Sequence, residues 1–336
     1  MNQTVADIGE FGLIRRIHDL LEREGVGIPG PDLGIGDDCA SFRPKKDREL
    51  LITCDSMVEG RHYLPEYISP ADLGRRAMVM NISDIGAMGG YPLYALVSLG
   101  LRSNMPVRYV DCMYMGFIEE LRPFNASIIG GNITKSEHSI FIDITLIGEV
   151  EKDIMMLRST AVEGDSILVT GYPGQAAAGL EMLSTKIDKE DIKDHPLVKA
   201  YNSPSHRARE GRAIAKSGYA RAMIDISDGL LGDLGHICEQ SGVGAEIFHS
   251  NLPVSEHMSE LENVRDIVMG ESDDYELIIT CPPENTKKIR DLVASISGIP
   301  VTDVGGITNA SEGIGLVLSD GTKHKIMTDG WDHFKG

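Results

Sequence analysis

The residues best suited to chemistry in this chain are aspartates set beside glycine and small residues. They gather in Gly34-Ile-Gly-Asp37-Asp38, Thr53-Cys54-Asp55-Ser56, Asn81-Ile-Ser-Asp84 and Ile224-Asp225-Ile-Ser227-Asp228-Gly229. An aspartate ahead of a helix most often serves as a cap or an Asx turn, so no single segment is diagnostic. Like charges as close as Asp37 and Asp38, or Asp225 and Asp228, repel unless a cation or a hydrogen-bond network offsets them. Magnesium takes hard oxygen ligands, keeps several waters and bridges carboxylates to phosphates. Taken together, the segments point to a divalent-metal site that handles phosphate groups.

Gly34-Ile-Gly36, Gly130-Gly131-Asn132, Gly171-Tyr-Pro-Gly174 and Gly229 would let backbone amides approach phosphate oxygens, although each also reads as ordinary turn glycine. None belongs to a GxxxxGK[ST] loop, and none forms GxGxxG after a strand. Arg158 offers a planar fork for phosphate, and Trp331, the single tryptophan, offers an aromatic face for a cationic or pyrimidine ring. A surface arginine and a core-capping tryptophan are the plain alternatives.

These residues need elements to hold them. Helical spacing is expected over 10–23, 70–88 and 107–121, and strands over 49–54, 93–101 and 140–150. A second series starts near Val162, with strands at 166–170, 222–226, 245–248, 275–280 and 314–318, and helices at 175–183, 206–217, 230–240 and 286–296. The polar stretch 184–194 reads as a solvated surface segment. Most of the aspartate segments sit where a strand ends or a helix begins.

A length of 336 residues exceeds what one hydrophobic core usually serves, so two mixed α and β domains are expected, 1–150 and 151–336. The balance of 32 Lys and Arg against 51 Asp and Glu, −19, argues against nucleic-acid binding, while metal ions recruited by carboxylates would still admit an anionic substrate. The five cysteines are far apart and form no CxxC, which favours reduced structural thiols over disulfides or zinc. No apolar run approaches the roughly 20 residues of a membrane span, so no membrane partner and a cytoplasmic location are expected.

The motifs Gly34-Ile-Gly-Asp-Asp-Cys-Ala40, Asp55-Ser-Met-Val-Glu-Gly-Arg-His62, Asn81-Ile-Ser-Asp-Ile-Gly-Ala-Met-Gly89, Ile224-Asp-Ile-Ser-Asp-Gly-Leu230, Asp274-Tyr-Glu-Leu277 and Gly330-Trp-Asp-His-Phe334 resemble the thiamine-monophosphate kinase family. That family lies in the aminoimidazole ribonucleotide synthetase superfamily, and the matches run in its order over nearly the whole chain. The resemblance implies an α+β two-domain fold. Its N-terminal α/β domain would form an intersubunit β-barrel in a homodimer, its C-terminal domain would be an α/β sandwich, and ATP would lie in the cleft between them.

By the same resemblance Asp37, Asp38, Thr53, Cys54 (through its backbone carbonyl), Asp55, Asp84, Asp225 and Asp228 correspond to magnesium ligands, with Asp37 and Asp228 placed at the catalytic centre. Gly131, Asn132, Arg158 and Ser227 correspond to nucleotide contacts, and His62, Asp273 and Trp331 to contacts with thiamine monophosphate. The implied reaction is direct in-line phosphoryl transfer from ATP to a phosphate oxygen that is already nucleophilic, with no phosphoenzyme and no required side-chain base.

The chain departs from the family pattern in places. Asn132 stands where the family carries aspartate, Glu271-Ser272-Asp273 where it reads Gly-Gly-Glu, and Cys54 where a hydroxyl residue is common. Other readings are another ATP-dependent synthetase or kinase of the superfamily, and a non-catalytic sensor of magnesium-bound ATP.

Overall fold

The computed structural model describes residues 3–25, 32–35, 39–184 and 192–326. The chain divides into two compact units, Met1–Ile85 with Tyr91–Lys152, and Gly86–Gly90 with Asp153–Gly336.

In the first unit the helices are α1 (Val5–Glu24), α2 (Pro70–Ala87) and α3 (Val107–Leu121), and the strands are β1 (Arg48–Val58), β2 (Tyr91–Leu101), β3 (Ser127–Lys135) and β4 (Phe141–Glu151). The strands form one sheet in the order β1-β4-β2-β3, in which only β2 and β3 run parallel. Period-two alternation fixes its faces. Ile142, Ile144 and Leu146 of β4 and Val97 and Leu99 of β2 are fully buried, and the Ile85 side chain of α2 crowds Gly148 on this sheet. The opposite face leaves Ile52 68% exposed.

β3 is the strand that the sequence pattern hides, because two glycines interrupt its alternation. Gly131 is required there by its neighbour: a Cβ would stand 1.9 Å from the Val97 carbonyl oxygen across the β2–β3 pair.

Helix α3 buries Val110, Met113, Tyr114, Phe117, Ile118 and Leu121, a stripe at helical spacing. Its contact with α2 is made backbone to backbone. A Cβ at Gly116 would lie 2.1 Å from the Ala71 carbonyl oxygen, and one at Gly74 would lie 2.0 Å from that of Met113.

The second unit holds strands β5 (Ser166–Thr170), β6 (Ala222–Asp225), β7 (Val243–Phe248), β8 (Leu277–Cys281), β9 (Val301–Asn309), β10 (Ile314–Val317) and β11 (Lys323–Ile326) in the order β11-β10-β7-β9-β5-β8-β6. Its helices are α4 (Gln175–Leu183), α5 (Pro196–Asn202), α6 (Ala208–Ser217), α7 (Leu230–Ser241), α8 (Val264–Met269) and α9 (Thr286–Ser297). Alternate residues of one strand enter opposite cores. Ile167, Val169, Ile224 and Ile278 pack with Leu230, Leu234 and Ile237 of α7. Leu168, Met223, Leu277 and Ile279 pack with Ile214 of α6 and with Ile289 and Val293 of α9. Covered on both faces, the strands read as continuous apolar runs such as Leu-Ile-Ile-Thr-Cys.

Among the described residues no helix is long and apolar enough to cross a membrane.

The glycine contact between α2 and α3 predicts that Gly116→Val destabilises the protein by about 2–3 kcal/mol, since overpacked backbone cannot yield cheaply. A chemical denaturation midpoint measures this; an unchanged midpoint would contradict the close approach.

Candidate metal and phosphate site

In the first unit β1 splits its polar residues between two faces. Thr53 and Asp55 are half-buried on the side that faces α2, whereas Cys54 and Ser56 are exposed on the other. The Thr53 hydroxyl donates to the Asp84 carboxylate of α2, so strand and helix bring Thr53 and Asp84 together, with Asp55 on the same face of β1 two residues on. The Cys54 side chain is not part of that group. Its thiol lies 3.5 Å from Asp143 Oδ1, while the Ser56 hydroxyl donates to Asp143 Oδ2 at 2.5 Å.

Pairing register continues this second group across the sheet: Ser56 opposes Asp143, Asp143 opposes Ser98, and Ser98 opposes Asn132. Asp143 is therefore the carboxylate of a polar row that includes Asn132. The sequence signal for it was an aspartate at an outward position of the alternating run Phe-Ile-Asp-Ile-Thr-Leu.

His62 sits in the turn after β1, where its Nδ1 accepts from the Val58 amide at 3.0 Å. An accepting Nδ1 leaves the ring proton on Nε2, so the outer nitrogen is a donor.

In the second unit Asp225, Ser227 and Asp228 occupy one turn from β6 into α7. The turn is tied to the loop 271–276, since the Ile226 amide donates to the Glu276 carbonyl at 2.7 Å and the Tyr275 amide to the Ile226 carbonyl at 2.8 Å. That pairing brings Asp273 beside the Asp225–Asp228 turn. Gly229 closes it with φ 103°, and a Cβ there would stand 2.1 Å from the Gly270 carbonyl oxygen.

Two residues missed in the sequence complete this group. Asp233, in the first turns of α7, accepts the backbone amides of Ser227 and Asp228 on one oxygen, each at 3.0 Å. The ligand atoms of Asp228, Asp233 and His236 all lie within 4.8 Å of one another. The 233 and 236 spacing places both on one helix face, the signal that would have found them. Burial pushes the Asp233 carboxyl up to about 7, against the two amide hydrogen bonds; the Asp228 charge adds to the rise and the Arg158 guanidinium opposes it. Arg158 itself is anchored through its carbonyl, which accepts from the Ser241 hydroxyl at the end of α7.

The loop 271–276 is held as firmly. Asp274 accepts from Gly174 N at 2.5 Å and Ala176 N at 2.8 Å, and Ser272 accepts from Ala177 N at 3.1 Å, so the residues flanking Asp273 both grip the N-terminus of α4. Glu276 is 4% exposed, meets Arg207 Nε at 2.6 Å and accepts from the Thr170 hydroxyl. Burial pushes Asp274 up to about 6, although the amides of Ala176 and Gly174 pull it down.

Asp37, Asp38 and Trp331 lie outside the described residues. The candidate metal-binding groups among the described residues are carboxylates, a threonine hydroxyl and one imidazole. Hard oxygen predominates, with the Asp228 carboxylate standing within 4.8 Å of the Asp233 and His236 groups, so the residues fit magnesium.

Residues 36–150 match the family described as AIR synthase related protein, N-terminal domain, and residues 162–317 match AIR synthase related protein, C-terminal domain. A thiamine-monophosphate kinase of Escherichia coli is 35% identical over 330 residues, covering 97% of this chain and 98% of the relative. The crystal structure of thiamine-monophosphate kinase from Stenotrophomonas maltophilia superposes with a TM-score of 0.77 at 31% identity, covering 93% of this chain and 97% of that one. The structure described as AaThiL complexed with AMPPCP and TMP gives a TM-score of 0.74 at 32% identity and covers 99% of each chain.

The raised Asp274 carboxyl sets a pH dependence. Between about 4 and 6 the folded state retains a proton that the unfolded chain has released, so this residue's contribution to stability is present at low pH and is lost as pH rises through that window. The stability of the wild type minus that of Asp274→Asn should fall from pH 4 to pH 6 by up to about 1.4 kcal/mol per pH unit, read from urea midpoints. Parallel pH profiles would contradict it.

Proposed function

The chain belongs to the thiamine-monophosphate kinase family of AIR synthase related proteins, and from that premise we propose that it carries the γ-phosphoryl group of ATP directly onto the phosphate of thiamine monophosphate, giving thiamine diphosphate and ADP. The observation that carries this reading is the turn Asp225–Gly229. It supplies two carboxylates and the exposed Ser227 on a fixed backbone, in a chain that follows a thiamine-monophosphate kinase over 97% of its length. ATP as donor is supported by the similar structure complexed with AMPPCP, whose bridging methylene mimics the bond that would break, and thiamine monophosphate as acceptor by the TMP in the same complex.

The division of labour follows from chemistry. When bound, magnesium supplies neutralisation of charge on the transferring group and on the leaving diphosphate. Thr53, Asp55 and Asp84 of the first unit and Asp225 and Asp228 of the second are each assigned to magnesium, as are Asp37 and Asp38, and Asp37 and Asp228 are assigned the catalytic role. Cys54 would contribute its carbonyl, since its thiol lies with Asp143 on the other sheet face.

Ser227, Arg158, Gly131 and Asn132 are assigned to the nucleotide. Arg158 adds positive charge beside the turn, and Asn132 offers a neutral carbonyl oxygen, which adds no negative charge to that met by the phosphates. His62, donating through Nε2, Asp273 and Trp331 are assigned to the acceptor. A phosphate monoester oxygen is nucleophilic near neutral pH, so these side chains need only orient it.

A homodimer is the form in which we place the enzyme, with the sheet face that bears Ile52 on β1 turned toward a second copy to close a barrel. The exposure of Ile52 supports this. The reaction belongs in the cytoplasm, where ATP is abundant.

Incubation with magnesium, ATP and thiamine monophosphate, followed by chromatography, tests the assignment. Equal amounts of thiamine diphosphate and ADP are expected, falling by about 100-fold or more in Asp228→Asn. ATP binding without either product would favour a sensor, and release of inorganic phosphate would favour a synthetase.

A further inference from the structure

We propose that Asp233 is a positioning residue for the nucleotide turn, and that helix α7 sets the spacing between that turn and Arg158. The inference rests on the assignment of Ser227, Asp228 and Arg158 to nucleotide and metal.

The loop that enters α7 carries the amides of Ser227 and Asp228 just ahead of the N-cap Gly229, and a neutral side-chain oxygen would be enough to accept them. Here the job is done by a carboxylate only 2% exposed, beside the further negative charge of Asp228. Two amide donors, the positive end of the helix dipole and the nearby Arg158 guanidinium offset that cost.

The geometry shows what the arrangement achieves. One oxygen receives the consecutive amides of Ser227 and Asp228, so two adjacent peptide planes are fixed relative to the helix axis. Ile226 and Gly229 on either side are buried while Ser227 is exposed, so the turn presents its side chain outward from a locked backbone.

The other end of the same helix makes the second tie. The Ser241 hydroxyl donates to the Arg158 carbonyl at 2.8 Å and accepts from the Ala161 amide at 3.1 Å. The rigid rod Leu230–Ser241 thus holds the turn at its N-terminus and the Arg158 segment at its C-terminus. A ligand that must touch both is measured against the length of one helix, and small displacements of reacting groups are costly.

The test compares Asp233→Ala, Asp233→Asn and Ser241→Ala with the wild-type chain. Calorimetric binding of magnesium-bound AMPPCP, kcat and KM for each substrate, and thermal unfolding are measured together. Loss of the acceptor in Asp233→Ala should weaken AMPPCP binding and lower kcat by about tenfold or more, the usual scale for supporting groups. Asp233→Asn, whose carbonyl oxygen can accept the same two amides, should bind within about threefold of wild type. Ser241→Ala should raise KM for ATP about threefold or more and leave KM for thiamine monophosphate unchanged.

Binding by Asp233→Ala within twofold of wild type would overturn the proposal. So would Asp233→Asn binding as poorly as Asp233→Ala, which would assign the carboxylate to the ion instead. If Asp233→Ala does not fold, Asp233→Asn and Ser241→Ala decide in the same terms. A wild-type chain that binds AMPPCP yet makes no thiamine diphosphate would remove the kinase assignment and leave the binding test of α7 standing.

Discussion

A carboxylate withdrawn from water costs roughly several kcal/mol unless donors or a cation meet it, and the second unit is organised around that requirement. Asp274 and Ser272 face the amides that open α4, Glu276 faces Arg207 and Thr170, and Asp233 faces the amides of Ser227 and Asp228. Each of these groups ties a loop to a helix or strand. Their common product is a rigid frame that displays Ser227, Asp228 and Asp273 and holds Asp225 buried beneath them. The same logic recurs in the first unit, where the Thr53 hydroxyl meets Asp84 and joins β1 to α2.

With a net charge of −19, the proposed use of anionic substrates depends on how these carboxylates are committed. Carboxylates matched to backbone amides are committed to structure. Under the proposed function, Asp228 on its turn would serve as an oxygen donor for magnesium, whose charge would reverse the field that phosphates experience. Neutral Asn132, in register with Ser98 and Asp143, tempers the negative charge of the sheet row on the opposite face of β1.

Much of this was legible in the sequence where a residue's signal was local. The helices expected over 70–88 and 107–121 and the strand over 166–170 are found at Pro70–Ala87, Val107–Leu121 and Ser166–Thr170, and these and the turn Asp225–Gly229 follow from spacing and turn chemistry alone. β3 was hidden because Gly131 answers to the Val97 backbone on another strand, a contact no one-dimensional pattern displays. β9, with Gly305 and Gly306 in its centre, was hidden for the same reason. Of the site, the aspartates beside glycine stood out by clustering. Asp233 and His236 did not, since inside α7 they read as ordinary helix surface until the helix folds Asp233 back on the turn. Asp143 was masked by the regular alternation of β4, and Cys54 lies in the aspartate motif while its thiol points to the other face.

With every assigned group holding, orienting or neutralising, nothing in the proposed chemistry calls for a covalent intermediate on the protein, and the phosphate of the acceptor is the only nucleophile required. The stereochemical course at phosphorus examines that claim directly. ATP made chiral with oxygen isotopes at the γ-phosphorus is turned over with thiamine monophosphate, and the configuration in the thiamine diphosphate formed is determined. One in-line displacement predicts inversion. Retention, the signature of two successive displacements through a phosphoenzyme, would contradict direct transfer.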